Sequence, residues 1–219
     1  MNRLDRLARG CPLPRQFLEG IQRGTMSYTY KGIPTFKDPF DLALYQLLLW
    51  EQKPRTLIEI GSRFGGSALW FSDILRSFDV ECTVHSIDIE SPAIDIPGAL
   101  FYRGDGRNLA ATLSPDFLAT IPRPLLVVED ADHRPDTTLA VLRFFDPWLR
   151  AGEYIVIEDG IIDDVLAEAL LRRYEGGPRR GVGEFLRERG EDYEIDGRLC
   201  DFFGENMTWN VNGYLRRLR

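Results

Sequence analysis

The sequence predicts one doubly wound α/β domain on a mostly parallel, seven-stranded sheet, with an N-terminal helical extension. Three observations predict it. Short apolar runs alternate with helical stretches along most of the chain, as in βαβ units. The runs Leu125–Val128 and Tyr154–Ile157 are apolar throughout, as strands buried on both faces are. Several of the runs end in acids or glycine, the composition of a carboxyl edge that carries ligands. With 44% hydrophobic and 28% charged residues over 219 positions, the chain has enough apolar content for a full core, which excludes disorder as its main state.

Residues 1–35 read as an arm and 36–219 as the α/β domain. The first 24 residues are locally basic, with Arg3, Arg6, Arg9, Arg15 and Arg23 against Asp5 and Glu19. They suit a solvated arm or short helix, or a segment that meets another subunit or covers substrate. Asp38–Gln52 is a helix, because Phe40, Ala43, Leu44, Leu47 and Leu48 follow helical spacing; Pro54 ends it. Leu42, Tyr45, Leu49 and Trp50 make it apolar nearly all round, which predicts burial on several faces and a homo-oligomer.

Thr56–Gly61 is then a strand, Gly66–Ser77 a helix, and Thr83–Ile89 and Ala99–Arg103 two further strands. Asn108–Ile121 is helical in parts, with Pro115 opening its second half. After the strand at Leu125–Val128, Thr137–Phe145 is a helix with Leu139, Leu142 and Phe145 inward. Tyr154–Ile157 is followed by a helix over Asp163–Tyr174, acidic at its start and basic at its end as the macrodipole favours. Glu184–Arg189 reads as one or two helical turns, and Tyr193–Leu199 and Gly213–Leu218 as weaker strands.

Composition also narrows the partners. A net charge of −7 argues against a broad grip on nucleic acid. No apolar run approaches the ~20 residues of a membrane span, and the N-terminus lacks the apolar stretch of a signal peptide. Cys11, Cys82 and Cys200 have neither metal-type spacing nor an even count, which fits a reducing cytoplasm.

The first strand runs into the turn Glu59-Ile60-Gly61-Ser62-Arg63-Phe64-Gly65-Gly66-Ser67. Dinucleotide sites use G-x-G-x-x-G. The looser G-x-x-x-G-G here resembles the first motif of S-adenosylmethionine-dependent methyltransferases, with a plain tight turn as the alternative. It offers Glu59, Gly61, Ser62, Gly65 and Ser67 to a cofactor. Asp88, at the end of the second strand, sits where a ribose diol is held, and Asp105, after the third, is placed to meet an adenine amino group.

The next two strands end Glu129-Asp130-Ala131-Asp132-His133 and Glu158-Asp159-Gly160. Neighbouring strands lie ~4.8 Å apart, so at least three carboxylates converge. Two such charges ~5 Å apart repel by roughly 3 kcal/mol at an effective dielectric of 20, which protonation, a lysine or arginine, or a divalent cation must offset. No lysine follows Lys53 and no arginine lies inside either acidic turn. An oxygen-only cluster then favours Mg²⁺, Mn²⁺ or Ca²⁺, or stands as a hydrated acidic rim. His133, beside the acids, is the candidate general base. His85, inside a strand, reads as a sheet residue.

Four blocks carry a family resemblance: Tyr28–Thr35 with the helix after it, IEIGSRFGGSALWFSDIL, VVEDADH, and VIEDG with the tail NVNGYLRRL. Spanning about Ser27 to Leu218, they resemble the methyltransferase family labelled "cephalosporin hydroxylase", which also holds rhamnosyl and macrolide-sugar O-methyltransferases. The resemblance implies a class I methyltransferase fold, S-adenosylmethionine as donor and Mg²⁺ (or Mn²⁺) as helper. It places the metal on Asp130, Glu158 and Asp159, with Asp132 a competing ligand and His133 the base. The implied acceptor is a small-molecule diol, foremost a sugar on a glycosylated natural product, then a catechol or other polyol. A nicotinamide-dependent oxidoreductase and a non-catalytic cofactor-binding module are the other uses of such a fold.

Overall fold

The computed structural model describes residues 3–219; Met1 and Asn2 of the basic arm lie outside the described residues. The chain opens with helices α1 (Arg3–Leu7) and α2 (Arg15–Thr25) and a short antiparallel hairpin, β1 (Thr29–Tyr30) and β2 (Ile33–Pro34). Helix α3 (Pro39–Gln52) starts at a defined cap. The Asp38 carboxylate accepts from the backbone N–H of Phe40 and Asp41, and Pro39 occupies the first turn. Lys53 in the left-handed region closes it ahead of Pro54.

From there strands and helices alternate. β3 (Thr56–Ile60), α4 (Gly66–Ser77), β4 (Thr83–Asp88) and β5 (Ala99–Arg103) form the first half. A 3₁₀ turn at Gly106–Ala111 and α5 (Pro115–Thr120) lead to β6 (Leu125–Glu129), α6 (Pro135–Phe145) and β7 (Tyr154–Ile157). α7 (Ile162–Val165), α8 (Glu168–Leu171) and α9 (Gly177–Arg189) precede β8 (Tyr193–Ile195), α10 (Gly197–Cys200) and β9 (Tyr214–Arg217). The seven-stranded sheet has the order β5-β4-β3-β6-β7-β9-β8, with parallel pairing from β5 through β7 and an antiparallel β9. The order reverses between β3 and β6, so the crevice for a ligand opens above their carboxyl ends.

Strand register assigns the two faces. Glu59, Ser86, Val128 and Val156 are cross-strand neighbours, and Tyr214 pairs with Val156 on the same side, toward α3 and α4. Ile60, Glu129 and Ile157 share the other side, where the α6 residue Thr138 donates to Glu129 at 2.9 Å. No helix among the described residues is long and apolar enough to cross a membrane.

Three elements differ from the periodicity. The helix expected over Asp163–Tyr174 is broken: Leu166 is extended, and α7, α8 and a 3₁₀ turn at Arg172–Tyr174 replace it. Val165 and Leu166 pack with Leu18, Ile161, Trp209 and Val211 in a small second core, and this packing overrides helix propensity. The turn expected at Glu184–Arg189 is the end of a 13-residue helix. Its glycine-rich start hides it from propensity, but Gly181 is what lets α9 lie against α6, since a Cβ there would stand 2.7 Å from the Pro135 carbonyl. The basic arm is not a loose tail, because Leu18 of α2 is buried in the second core.

Asp41 ties the two ends of the fold together. Fully buried on α3, its carboxylate accepts from the N–H of Trp209 (2.9 Å) and Asn210 (3.2 Å), the Tyr214 hydroxyl (2.8 Å) and the Thr208 hydroxyl. Removing it leaves buried donors without an acceptor. Asp41→Ala is expected to lower stability by about 3 kcal/mol, read as a reduced urea midpoint with an unchanged slope.

Candidate functional site

A cavity of about 550 Å³ opens above the carboxyl ends of β3, β4 and β6, within the range of small-ligand sites. One wall is the glycine turn. Gly61 has φ +108°, and a Cβ there would overlap the Asp130 carbonyl, so any other residue would push the two strand ends apart. Gly61, Ser62 and Ser67 line the cavity together with Asp88 and Asp105. Asp88 is held by the turn itself, accepting from the N–H of Arg63 at 2.7 Å and of Glu90 at 3.1 Å. Asp105 accepts from the Arg107 N–H at 2.9 Å.

Two residues of the motif stand elsewhere. Gly65 shapes the turn at the start of α4 but is not in the cavity wall, and Glu59 is fully buried beneath it. Glu59 accepts from the Ser86 hydroxyl, which stands 2.6 Å from the Ser62 hydroxyl. Its role in this geometry is to brace Ser62 from below. Burial raises its pKa despite the nearby Lys37.

The floor of the cavity is acidic. Asp130, His133 and Asp159 each offer one ligand atom, all within 4.8 Å of one another. His133 Nδ1 lies 3.3 Å from Asp159 Oδ2. Both residues sit at φ +56°, a conformation that costs a non-glycine residue and that only the surrounding packing maintains. Asp132 also lines the cavity, but its carboxylate is engaged by Arg107 at 2.6 Å and by the Arg134 N–H at 3.3 Å.

Glu158 is buried below this group rather than exposed in it. One of its oxygens accepts from the Tyr45 hydroxyl at 2.6 Å and the other from the Lys37 ammonium. Lys37 Nζ also donates to Asp130 Oδ2 at 2.6 Å. Of the groups that could offset these acids, a lysine does so here. The counter-charge comes from upstream, on the segment that leads into α3. Burial disfavours the Lys37 ammonium, but Asp130, Glu158 and Glu59 outweigh it and hold the group charged, its pKa well above the ordinary value.

Lys37 and Tyr45 carry no local signal of this role; that Lys37 is one of only three lysines in the chain was the available hint. Gln22 and Thr25 of α2 and Met26 just after it, with Tyr174 and Trp209, complete the cavity on the side away from the glycine turn. Trp209 Nε1 donates to Gln22 at 2.9 Å, joining arm and tail.

The chain's own groups fit both expected ligands. For a nucleoside-bearing donor there are the volume, the open glycine turn, two carboxylates and Thr137, a cavity-lining residue whose hydroxyl has no partner among the described residues. For a divalent ion there are the converging carboxylate oxygens of Asp130 and Asp159, with the His133 imidazole beside them.

A doubly wound sheet of this order, with a glycine turn after its first parallel strand, defines a class I methyltransferase. The family model described as "Rhamnosyl O-methyltransferase/CmcI" matches residues 22–98 and 115–218. The rhamnosyl O-methyltransferase of Mycobacterium leprae is 33% identical over 194 residues, covering 86% of this chain and 82% of that protein. A solved CmcI structure with Mg and SAM aligns with TM-score 0.67 and 28% identity, covering 89% of this chain and 78% of that one. A CmcI structure with SAH aligns with TM-score 0.66 and 25% identity, covering 97% and 95%. The chain belongs to the Rhamnosyl O-methyltransferase/CmcI family and is by class an S-adenosylmethionine-dependent O-methyltransferase.

Two titrations test the electrostatics of the site. Burial lowers both imidazoles, but at His133 Asp159 and Asp130 outweigh it and raise the pKa, whereas at His85 burial acts alone. In the metal-free protein, ring-proton NMR is expected to show His133 titrating above ~6.5 and His85 below it.

Glu129 is fully buried, and its pKa is pushed up by burial from 4.5 to about 7 although Thr138 and the Ala131 N–H donate to it. A carboxyl whose folded pKa is raised stabilises the fold below its unfolded value and loses that contribution as pH rises through about 7. Glu129→Gln removes the ionisation. Relative to wild type, it should gain roughly 3 kcal/mol between pH 4 and pH 9; melting curves that keep a constant offset across that range would refute this.

Proposed function

We propose that this enzyme methylates one hydroxyl of a small-molecule diol, foremost on a sugar, with a divalent ion, Mg²⁺ or Mn²⁺, on Asp130, Glu158 and Asp159. The observation that carries the reading is the convergence of Asp130, His133 and Asp159 on the floor of the same cavity that the glycine turn walls. S-adenosylmethionine supplies the methyl group, and Gly61, Ser62, Ser67, Asp88 and Asp105 line the end of the cavity that would hold it. The divalent ion, when bound, supplies positive charge that favours the deprotonated acceptor oxygen.

His133 in its neutral form takes the hydroxyl proton. Asp159, 3.3 Å from Nδ1, stabilises the imidazolium that results. The rigid strand ends bearing these groups fix donor and acceptor relative to each other, which supplies much of the rate. Met26, Ile161, Ile162, Val165, Leu166 and Trp209 make the other end largely apolar. That supports an acceptor whose hydroxylated ring is joined to an apolar body. CmcI structures with Mg and SAM and with SAH, and relatives named rhamnosyl O-methyltransferase, support the donor, the ion and the sugar.

The reading includes a homo-oligomer. Trp50 on α3 remains 52% exposed and Phe202 56%, apolar surface that a second copy would cover. Light scattering that returns the mass of one chain at micromolar concentration would count against it.

S-adenosylhomocysteine should raise the melting temperature by mass action, and NAD should not. Asp88→Ala should weaken that effect without unfolding the protein. EDTA should abolish methyl transfer to a glycosylated acceptor while the donor stays bound, and His133→Ala should cost roughly 10²–10⁴-fold in rate. Turnover should fall as pH drops through the His133 midpoint, because the imidazolium cannot take a proton. Full activity in EDTA would remove the ion from the reading.

A further inference from the structure

The proton transfer assigned to His133 gives Lys37 no part, yet its ammonium lies among the acids. Nζ is 2.6 Å from Asp130 Oδ2 and in direct contact with Glu158 Oε2, and the side chain is 3% exposed. Tyr45 takes the other oxygen of Glu158 at 2.6 Å. Both oxygens of Glu158 and one of Asp130 are thus engaged from within the chain. A divalent ion on Asp130 and Glu158 asks for the same lone pairs as the three N–H donors of an ammonium. The two cations would also repel at such short range.

We infer that Lys37 is a built-in competitor for the metal site: its ammonium holds Asp130 and Glu158 together in the metal-free protein and leaves them when a divalent ion binds. The inference rests on the proposed reading of those carboxylates as metal ligands. The chain provides somewhere for the ammonium to go. Pro34, Thr35 and Phe36, just before Lys37, line the cavity, so an ammonium released from the floor emerges into the cavity. The competition serves two ends. It keeps the acids from repelling one another before the ion arrives, and it keeps the affinity for the ion low enough to exchange.

Two measurements test it. Calorimetric titration with Mn²⁺ should show Lys37→Met binding about tenfold or more tighter than wild type, since the competing charge is gone. Equal affinities in a folded variant overturn the inference and leave the ion standing. An absence of Mn²⁺ binding to both proteins overturns the inference and removes the ion from the proposed function as well. The second measurement uses the wild-type protein and stands even if Lys37→Met does not fold. Lys31, Lys37 and Lys53 are the only lysines, so mass spectrometry after mild acetylation reads each one separately. Lys37 should be protected without metal and become acetylated in saturating Mn²⁺, with exposed Lys31 and Lys53 unchanged as internal controls. Lys37 equally protected with and without Mn²⁺ overturns the competition.

Discussion

Carboxyl groups gathered at one edge of a sheet must be neutralised one by one, and most of this architecture follows from how that is done. Glu59, Glu129, Asp130, Glu158 and Asp159 all fall at or just beyond the ends of β3, β6 and β7. Four arrangements settle them. Glu129 keeps its proton to about 7, Glu59 accepts from Ser86, Asp159 faces His133, and Asp130 and Glu158 share Lys37. The last arrangement is the most demanding, because a buried ammonium costs several kcal/mol unless its partners are held in place.

The holding is concentrated on one short segment. Lys37 reaches the acids, Asp38 caps α3, and one turn on Asp41 and Tyr45 share a helix face. Tyr45 bonds Glu158 while Asp41 anchors Thr208–Asn210 and Tyr214. The start of α3 thus fixes both the electrostatics of the cavity floor and the path of the tail. Substitutions at Lys37 and Tyr45 act on the cavity floor, and one at Asp41 acts on the tail that closes the cavity through Trp209.

The cavity is in turn built from both ends of the chain. The parallel strands supply the glycine-turn side and the acids, on rigid elements that hold these groups in place. The end of α2 with Met26 after it, and the tail through Trp209, supply the opposite side, joined by the bond from Trp209 to Gln22. The arm read from sequence as separate from residues 36–219 is therefore part of the cavity wall. The broken stretch Ile162–Tyr174 contributes there too, and its breaks let Val165, Leu166 and Tyr174 all face the same space.

What the sequence determined by itself is what neighbouring residues encode. Short apolar runs between helical stretches specify the strands, Asp38-Pro39 and Pro54 bound α3, and the glycine turn and the acids after Val128 and Ile157 put polar groups at the carboxyl edge whatever the packing around them. Asp88, Asp130, His133 and Asp159 could be picked out because strand ends in a doubly wound sheet share one edge. Only the tertiary structure decided which of these groups meet and what faces them. Lys37 lies 93 residues from Asp130 and 121 from Glu158, and no local pattern relates them. The same holds for Asp41 and the tail, for the burial of Glu59 and Glu158 below the cavity, and for the helix lost at Leu166. In each case the winning interaction is long-range burial or charge pairing, and its strength depends on a dielectric environment that exists only once the sheet and its covering helices are in place.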